Sequence, residues 1–251
     1  MKHGIRWCVV VLGLLAAGTA LRAQGYTGIT GLVHIPTAEM AKEGDVRAGG
    51  YFLSHAFFPD DMQTDEEIGS YNTFGYYLAI TPFSWMELSY ICVHFKTHRN
   101  ADPNEPIGYY MKDRHFNLKL RPLKEGRYWP AIAIGLQDPS RLGKESNGIN
   151  SFFQNAYGVA SKHFNLGGHE LSAHVAYRYY WSAYSRDLRG VAGGVAYRPA
   201  FARNLRLSGE YTGDAFIVGA DCLLWKHLFL QASLQDGKHF VGGISLQMNL
   251  F

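Results

Sequence analysis

The chain has 251 residues, 47% hydrophobic and 18% charged, with a formal net charge of +3 at pH 7. So small a charge gives no ground for a nucleic-acid partner, and a mean hydropathy of −0.14 with no second long apolar run excludes a bundle of transmembrane helices. Yet 14% of the residues are aromatic and 28 are glycine, a mixture unusual for a soluble α/β enzyme and suited to a barrel whose strands alternate a lipid face with a polar lumen.

The chain opens on a basic head, Met1 to Arg6, then an apolar run from Trp7 to about Ala17, then small residues up to Ala23. That order reads as a secretory signal peptide over 1–23, cleaved after Ala23; the run falls short of the about 20 residues that span a bilayer. Cys8 sits inside the apolar run, so no lipoprotein box is read. Residues 24–44 form a periplasmic or plug-like segment, in which Pro36 breaks regular structure and Thr37 to Met40 reads as one helical turn.

From Asp45 onward, short alternating runs separated by turn chemistry predict strands. In 228–235, Leu228, Leu230, Ala232 and Leu234 share one face while Gln231, Ser233 and Gln235 share the other. Successive side chains of a strand point to opposite faces, so this period is strand evidence. Candidate strands are 46–54, 71–80, 86–95, 114–121, 130–137, 153–164, 169–181, 189–198, 204–212, 215–223, 227–235 and 239–250. Long, polar connections at 55–70, 96–113 and 138–152, followed by shorter ones at 182–188, 213–214 and 236–238, alternate with mostly tight ones at 81–85, 122–129, 165–168, 199–203 and 224–226. Outer-membrane barrels sort their connections in this way, long outside and short in the periplasm. The fold expected over 45–251 is therefore all-β: a single antiparallel up-and-down transmembrane β-barrel of about twelve strands, within a range of ten to fourteen. An even count leaves both termini periplasmic, in the outer membrane of a Gram-negative-type bacterium. Trp85, Trp129, Phe164, Phe201 and Trp225 at the tight turns, with Tyr179, Trp181 and Tyr211 opposite, supply the two aromatic girdles. The last run is apolar on one face, but Asn249 stands where an apolar residue is expected and the terminal Phe251 is out of phase.

Three blocks resemble the YjbH-type proteins, outer-membrane components associated with exopolysaccharide production. The first is YTGITGLVHIPTAEM (26–40), with Gly31, Pro36, Thr37 and Ala38 in its repeated opening, followed by GDVRAGGY (44–51). The second is FNLKLRPLKEGRYWPAIAIGLQD (116–138), and the third AYGVASKHF (156–164). The resemblance implies a non-enzymatic envelope role in the production, export or surface assembly of an exopolysaccharide or capsule, and brings no catalytic residues. Partners implied are outer-membrane lipid, a polysaccharide, other envelope export components and the barrel-assembly machinery.

Beside the resemblance, the residues offer a polar lumen. Lys119, Arg121, Lys162, Arg178, Tyr180, Arg206 and Glu210 are placed there as candidate polysaccharide contacts. Ala131, Ala133, Gly135, Gly190, Ala192, Gly194 and Ala196 are small and leave space, into which Tyr26 to Met40 is expected to tuck. Gly126 is read as supplying a positive φ to a tight turn. Two other classes stay open: a porin-like diffusion channel, and a lipid-modifying hydrolase using Ser161, Ser172 or Ser233 with His163 or His174. His94 and His98 lack a carboxylate between them, and Cys92 and Cys222 lie on faces assigned to lipid, so neither a metal, a cofactor nor a disulfide framework is expected.

Overall fold

A computed structural model describes residues 24–58, 71–139, 152–182 and 184–251. The expected signal peptide lies outside the described residues, as do parts of the connections expected at 55–70 and 138–152. Twelve strands make up the fold: β1 (Asp45–Leu53), β2 (Thr73–Phe83), β3 (Met86–His98), β4 (Ile107–Leu123), β5 (Ala131–Gln137), β6 (Asn155–Leu166), β7 (His169–Tyr180), β8 (Gly190–Arg198), β9 (Leu205–Tyr211), β10 (Phe216–Leu224), β11 (Leu228–Gln235) and β12 (His239–Asn249). Each pairs antiparallel with the next, and β12 closes on β1, from Asp45 opposite Asn249 to Phe52 opposite Gly242. Closure satisfies the backbone within the sheet and leaves no edge, which a spanning β structure requires.

Period-two patterning decides which side each residue takes. In β2, Thr73, Gly75, Tyr77, Ala79 and Thr81 are buried, while Phe74, Tyr76, Leu78 and Ile80 between them are exposed. The outward set is apolar around the barrel, with Phe116, Val175, Val191 and Leu246 each more than half exposed. In water so large an apolar band would be an aggregation surface; against acyl chains it is the favourable face. Trp85, Trp129, Phe164, Phe201 and Trp225 are exposed at the end of the barrel carrying the short turns.

Two connections differ from expectation. The 96–113 segment is mostly strand: β3 runs to His98 and β4 begins at Ile107, with Thr97 opposite Gly108. Strand-favouring Tyr109, Tyr110 and Met111 continue the ladder beneath a polar tip at 99–106. β4 thus runs on past Asn117, the outermost β4 position with a β5 partner, and the β3–β4 hairpin stands above the rim there. The 81–85 connection shrinks to 84–85, because β2 continues through a bulge between Ile80 and Phe83. Pro82 sits in that bulge and Pro122 in a matching one in β4. Proline has no N–H to give the ladder, so it is accommodated where pairing skips.

Gly126 is not in the positive-φ region. Its place is a close approach instead: a Cβ there would lie 2.3 Å from Cε2 of the Trp129 indole. The helical turn expected at Thr37 to Met40 is absent; these residues have no regular structure, with a bend at Ala38.

Candidate functional site

Residues 24–41 lie inside the closed barrel, nearly all of them buried. The segment folds on itself through single bridges, Gln24 to Thr30 and Gly31 to Pro36. Backbone bonds from Gly25 N to Ile29 O at 2.9 Å and Leu32 N to Ile35 O at 2.8 Å tighten it. Gly28 makes the fold possible: its φ is +76°, and a Cβ would lie 2.4 Å from the Tyr77 ring.

Small inward residues receive the segment's apolar side chains. Leu32, Ile35 and Ala38 pack with Ala131, Ala133, Ala176, Ala192 and Ala196. At Gly194 a Cβ would come within 2.4 Å of Leu32 Cδ1. Gly135 is covered by the Tyr157 ring, and Gly190 faces open space. Toward the long-loop end, Tyr26 and Val33 join Phe58, Phe95, Phe152 and Phe153 in an aromatic layer. His34 is sandwiched there, 4.5 Å from the Phe57 ring and 5.4 Å from Tyr26. Burial and the nearby Arg178 charge push its pKa down to about 3.

Carboxylates tie the backbone of the segment to the wall. Glu87 accepts from Thr30 N at 2.9 Å, Thr30 Oγ1 at 2.5 Å and Ala41 N at 2.6 Å. Its charge is met by Arg47 at 3.6 Å and Lys119 at 3.5 Å. Glu210 takes the three successive amides of Val33, His34 and Ile35 at 2.9, 3.1 and 2.9 Å. Such a cradle of amides around a carboxylate is a set of charge-assisted bonds, each stronger than a neutral pair. In return the segment's own Glu39 is met by Arg198 at 3.3 Å, His163 at 3.1 Å and Arg206 at 3.8 Å. Burial works against its ionisation, but the His163 hydrogen bond and the Arg198 and Arg206 charges outweigh it and hold the carboxyl well below its usual range.

Most of the lumen candidates are therefore engaged. Lys119 Nζ donates to Thr30 O at 2.9 Å and Glu39 O at 2.5 Å. Arg206 reaches Gly31 O at 3.1 Å and Asp221 Oδ2 at 2.8 Å. Arg178 donates to Thr212 O and lies beside the buried Tyr180. Two candidates sit elsewhere. Lys162 is on the outward parity of β6, between inward Ser161 and His163, and its ammonium binds Gly126 O at 2.5 Å in the neighbouring turn. Arg121 belongs to the β4 bulge at the short-turn rim, donating to Ser84 O at 2.8 Å. Of the motif residues, Gly31 and Pro36 form one bridge, the Thr37 hydroxyl meets Glu39 at 3.3 Å, and Ala38 N donates to Ser161 Oγ at 2.8 Å. Glu39, Glu87, Arg47, Asp221 and Arg198 carry much of the network and were not singled out from sequence. Inward parity marks Glu87 and Asp221 as lumen carboxylates, but their partners depend on register.

The serine and histidine candidates do meet. His174 lies 2.8 Å from Ser161 Oγ and 3.0 Å from Ser172 Oγ. The trio faces the lumen under Ala38, and the second imidazole nitrogen meets a hydroxyl where a triad places a carboxylate. Among the described residues no three His, Cys, Asp or Glu side chains group as metal ligands, and Cys92 and Cys222 are free thiols.

Comparison with known proteins supplies a family. The chain is similar to a protein of Escherichia coli (strain K12) described as an uncharacterized lipoprotein, YjbH, at 27% identity over 95% of this chain and 38% of that one. It thus spans well under half the length of that relative. Among solved structures it is similar to outer membrane phospholipase A from Escherichia coli, with 9% identity, TM-score 0.39, and 84% and 98% of the two chains covered. A mutant porin of Rh. blastica aligns at 11% identity, TM-score 0.30, covering 84% and 75%. Likeness at that level transfers neither a lipase nor a pore. The model of the family described as exopolysaccharide biosynthesis protein YbjH matches residues 23–251. The chain, a twelve-stranded barrel of outer-membrane type, belongs to the YjbH family.

Proposed function

We propose that this chain is a non-enzymatic outer-membrane barrel serving exopolysaccharide production, with residues 24–41 acting as its plug. The short-turn end and both termini face the periplasm, and the long-loop end faces outward. The observation that carries the plug is the reciprocal anchoring of the segment: Glu87 and Glu210 hold its amides while Lys119 and Arg206 hold its carbonyls. The polysaccharide role is supported by the family's description. A glycan that contacts Lys119, Arg178 or Arg206 must then first displace the segment, so the resting barrel serves assembly or surface retention and is not a standing conduit.

Gene deletion with complementation tests the role, reading cell-bound and released polysaccharide separately. Loss or redistribution of polymer on deletion, restored by the wild type, is the expected result; unchanged polymer refutes it. Planar-bilayer recording of the purified barrel tests the plug. A closed wild type is expected, and steady ohmic conductance would favour the diffusion-channel reading instead.

A further inference from the structure

The outward face of the barrel is apolar on nearly every strand, and besides Lys162 at the short-turn end one longer stretch departs from that. Along β3 and β4 the outward positions pass from Leu88 opposite Leu118, through Tyr90 opposite Phe116, to Cys92 opposite Arg114 and His94 opposite Lys112. Lys96 follows at a bulge. Arg114 and Lys112 are exposed, and His94 and Lys96 half-buried. The two acidic residues of these strands, Glu87 and Asp113, are buried on the inward face, so no outward acid of β2, β3 or β4 balances the cations.

Aromatic rings frame this patch. His94 stacks on Phe74 at 4.9 Å, and Tyr109 meets Phe74 edge-on at 4.9 Å. The Lys96 ammonium lies 5.4 Å above the Tyr71 ring. Such rings concentrate where hydrocarbon gives way to headgroups, and the cost of a lipid-facing cation falls away at the same depth. On the β5 side, Arg114 and Lys112 lie beyond the last β4–β5 pair, where the sheet ends. Residues two apart on a strand are separated by about 6.8 Å, so Lys112 and Arg114 can close on one phosphate while Lys96 reaches a second.

We propose that this patch binds the phosphate groups of a lipid headgroup in the leaflet at the long-loop end, its occupant a phosphorylated saccharolipid of the lipid A type. Cations spread along two strands suit a headgroup with more than one phosphate, and the exposed tyrosines beside them suit its sugars. The inference rests on the barrel and its orientation and is independent of the polysaccharide role.

The test uses the purified full-chain barrel in detergent, with native mass spectrometry counting retained bisphosphoryl lipid A, phosphatidylglycerol and a neutral diglycosyl lipid. The wild type is expected to prefer lipid A, and to lose it as salt rises. Lys112→Ala with Arg114→Ala is expected to weaken retention by about tenfold or more. The charge-keeping pair Lys112→Arg with Arg114→Lys should stay within about threefold of wild type. Heat-dependent gel mobility reports that each variant is a folded barrel. Equal retention by the alanine pair, or equal retention of the neutral lipid, overturns the site; equal retention of phosphatidylglycerol overturns the occupant.

Discussion

Replacing Glu87 by Gln probes the anchoring most directly, because it keeps the shape and removes the charge. Glu87 is fully buried, as is Lys119, and the Arg47 side chain is 1% exposed. The carboxylate accepts three hydrogen bonds from the segment. An amide can accept through one oxygen only and turns an NH2 toward donors, so one or two of the three bonds fail, at about 1.5–3 kcal/mol each for bonds to a charged group. It also strips Lys119 and Arg47 of their shared counter-ion, and breaking a buried pair costs about 3–5 kcal/mol. The two estimates overlap, and about 3–5 kcal/mol is the expected loss of docking free energy, a factor of about 10² to 10³·⁵ in undocked population. Hydrogen exchange of the amides between Leu32 and Ala41 should accelerate by that factor, and intermittent conductance should appear in planar bilayers. Unchanged exchange in Glu87→Gln, in a barrel shown to be folded, would refute the anchoring.

Two further outcomes follow from the same geometry. Acid should release the segment: His34 has a docked pKa of about 3 against an ordinary 6.5, so undocked chains take up the proton first and docking weakens as pH falls from about 6.5 toward 3. Glu39 adds to this, since its depressed pKa gives stability that is present above the ordinary carboxyl value and lost on further acidification through its docked value. Exchange rates across pH 3 to 8 check the sign; stronger protection in acid would contradict it. Ser161→Ala removes the acceptor of Ala38 N and should loosen the segment by about 1–3 kcal/mol, with no change in fatty-acid release from phospholipid micelles. A release activity that this change abolished would overturn the non-enzymatic reading.

The strands were legible because lipid outside and side chains inside impose opposite demands on alternate residues, and β11 or β7 obeys that rule at almost every position. It fails where the two faces become alike. Lys162 is a case: around it β6 reads Ala160, Ser161, Lys162, His163, with polar and small residues on both parities near the turn, so alternation could not assign a side. The long β3–β4 hairpin was hidden for a related reason. Above the bilayer an outward residue need not be apolar, and the ladder at Thr97 and Gly108 leaves no period to read. The lumen network was legible only in its composition. Lys119 and Arg206 could be placed inward by parity, but their partners are Thr30, Gly31 and Glu39, reached across the barrel. Those pairings are set by how the 24–41 segment folds around Gly28, which no strand period encodes.

Charge accounting in the lumen yields a last prediction. Glu39 is the one formal charge between Gln24 and Ala41, and it faces Arg198 and Arg206. When the segment leaves, the wall keeps its cations and loses this acid together with the carbonyls that served Lys119 and Arg206. An emptied lumen is therefore more positive than a filled one by about one charge, and Lys119 and Arg206 lose their carbonyl partners while keeping Glu87 and Asp221 beside them. A neutral polymer could return hydrogen bonds but not the charge of Glu39, and a shielded excess of positive charge is the larger cost. An anionic polymer can return both, so it should compete with the segment where a neutral one does not. Adding a soluble polyuronate to the purified barrel is expected to speed exchange of the Leu32 to Ala41 amides, most strongly in Glu87→Gln where docking is already weakened. A neutral dextran of the same length should leave them unchanged. If the two polymers act alike, or neither acts even on the weakened variant, the cations of the lumen serve the segment alone and the glycan contact lies elsewhere on the barrel.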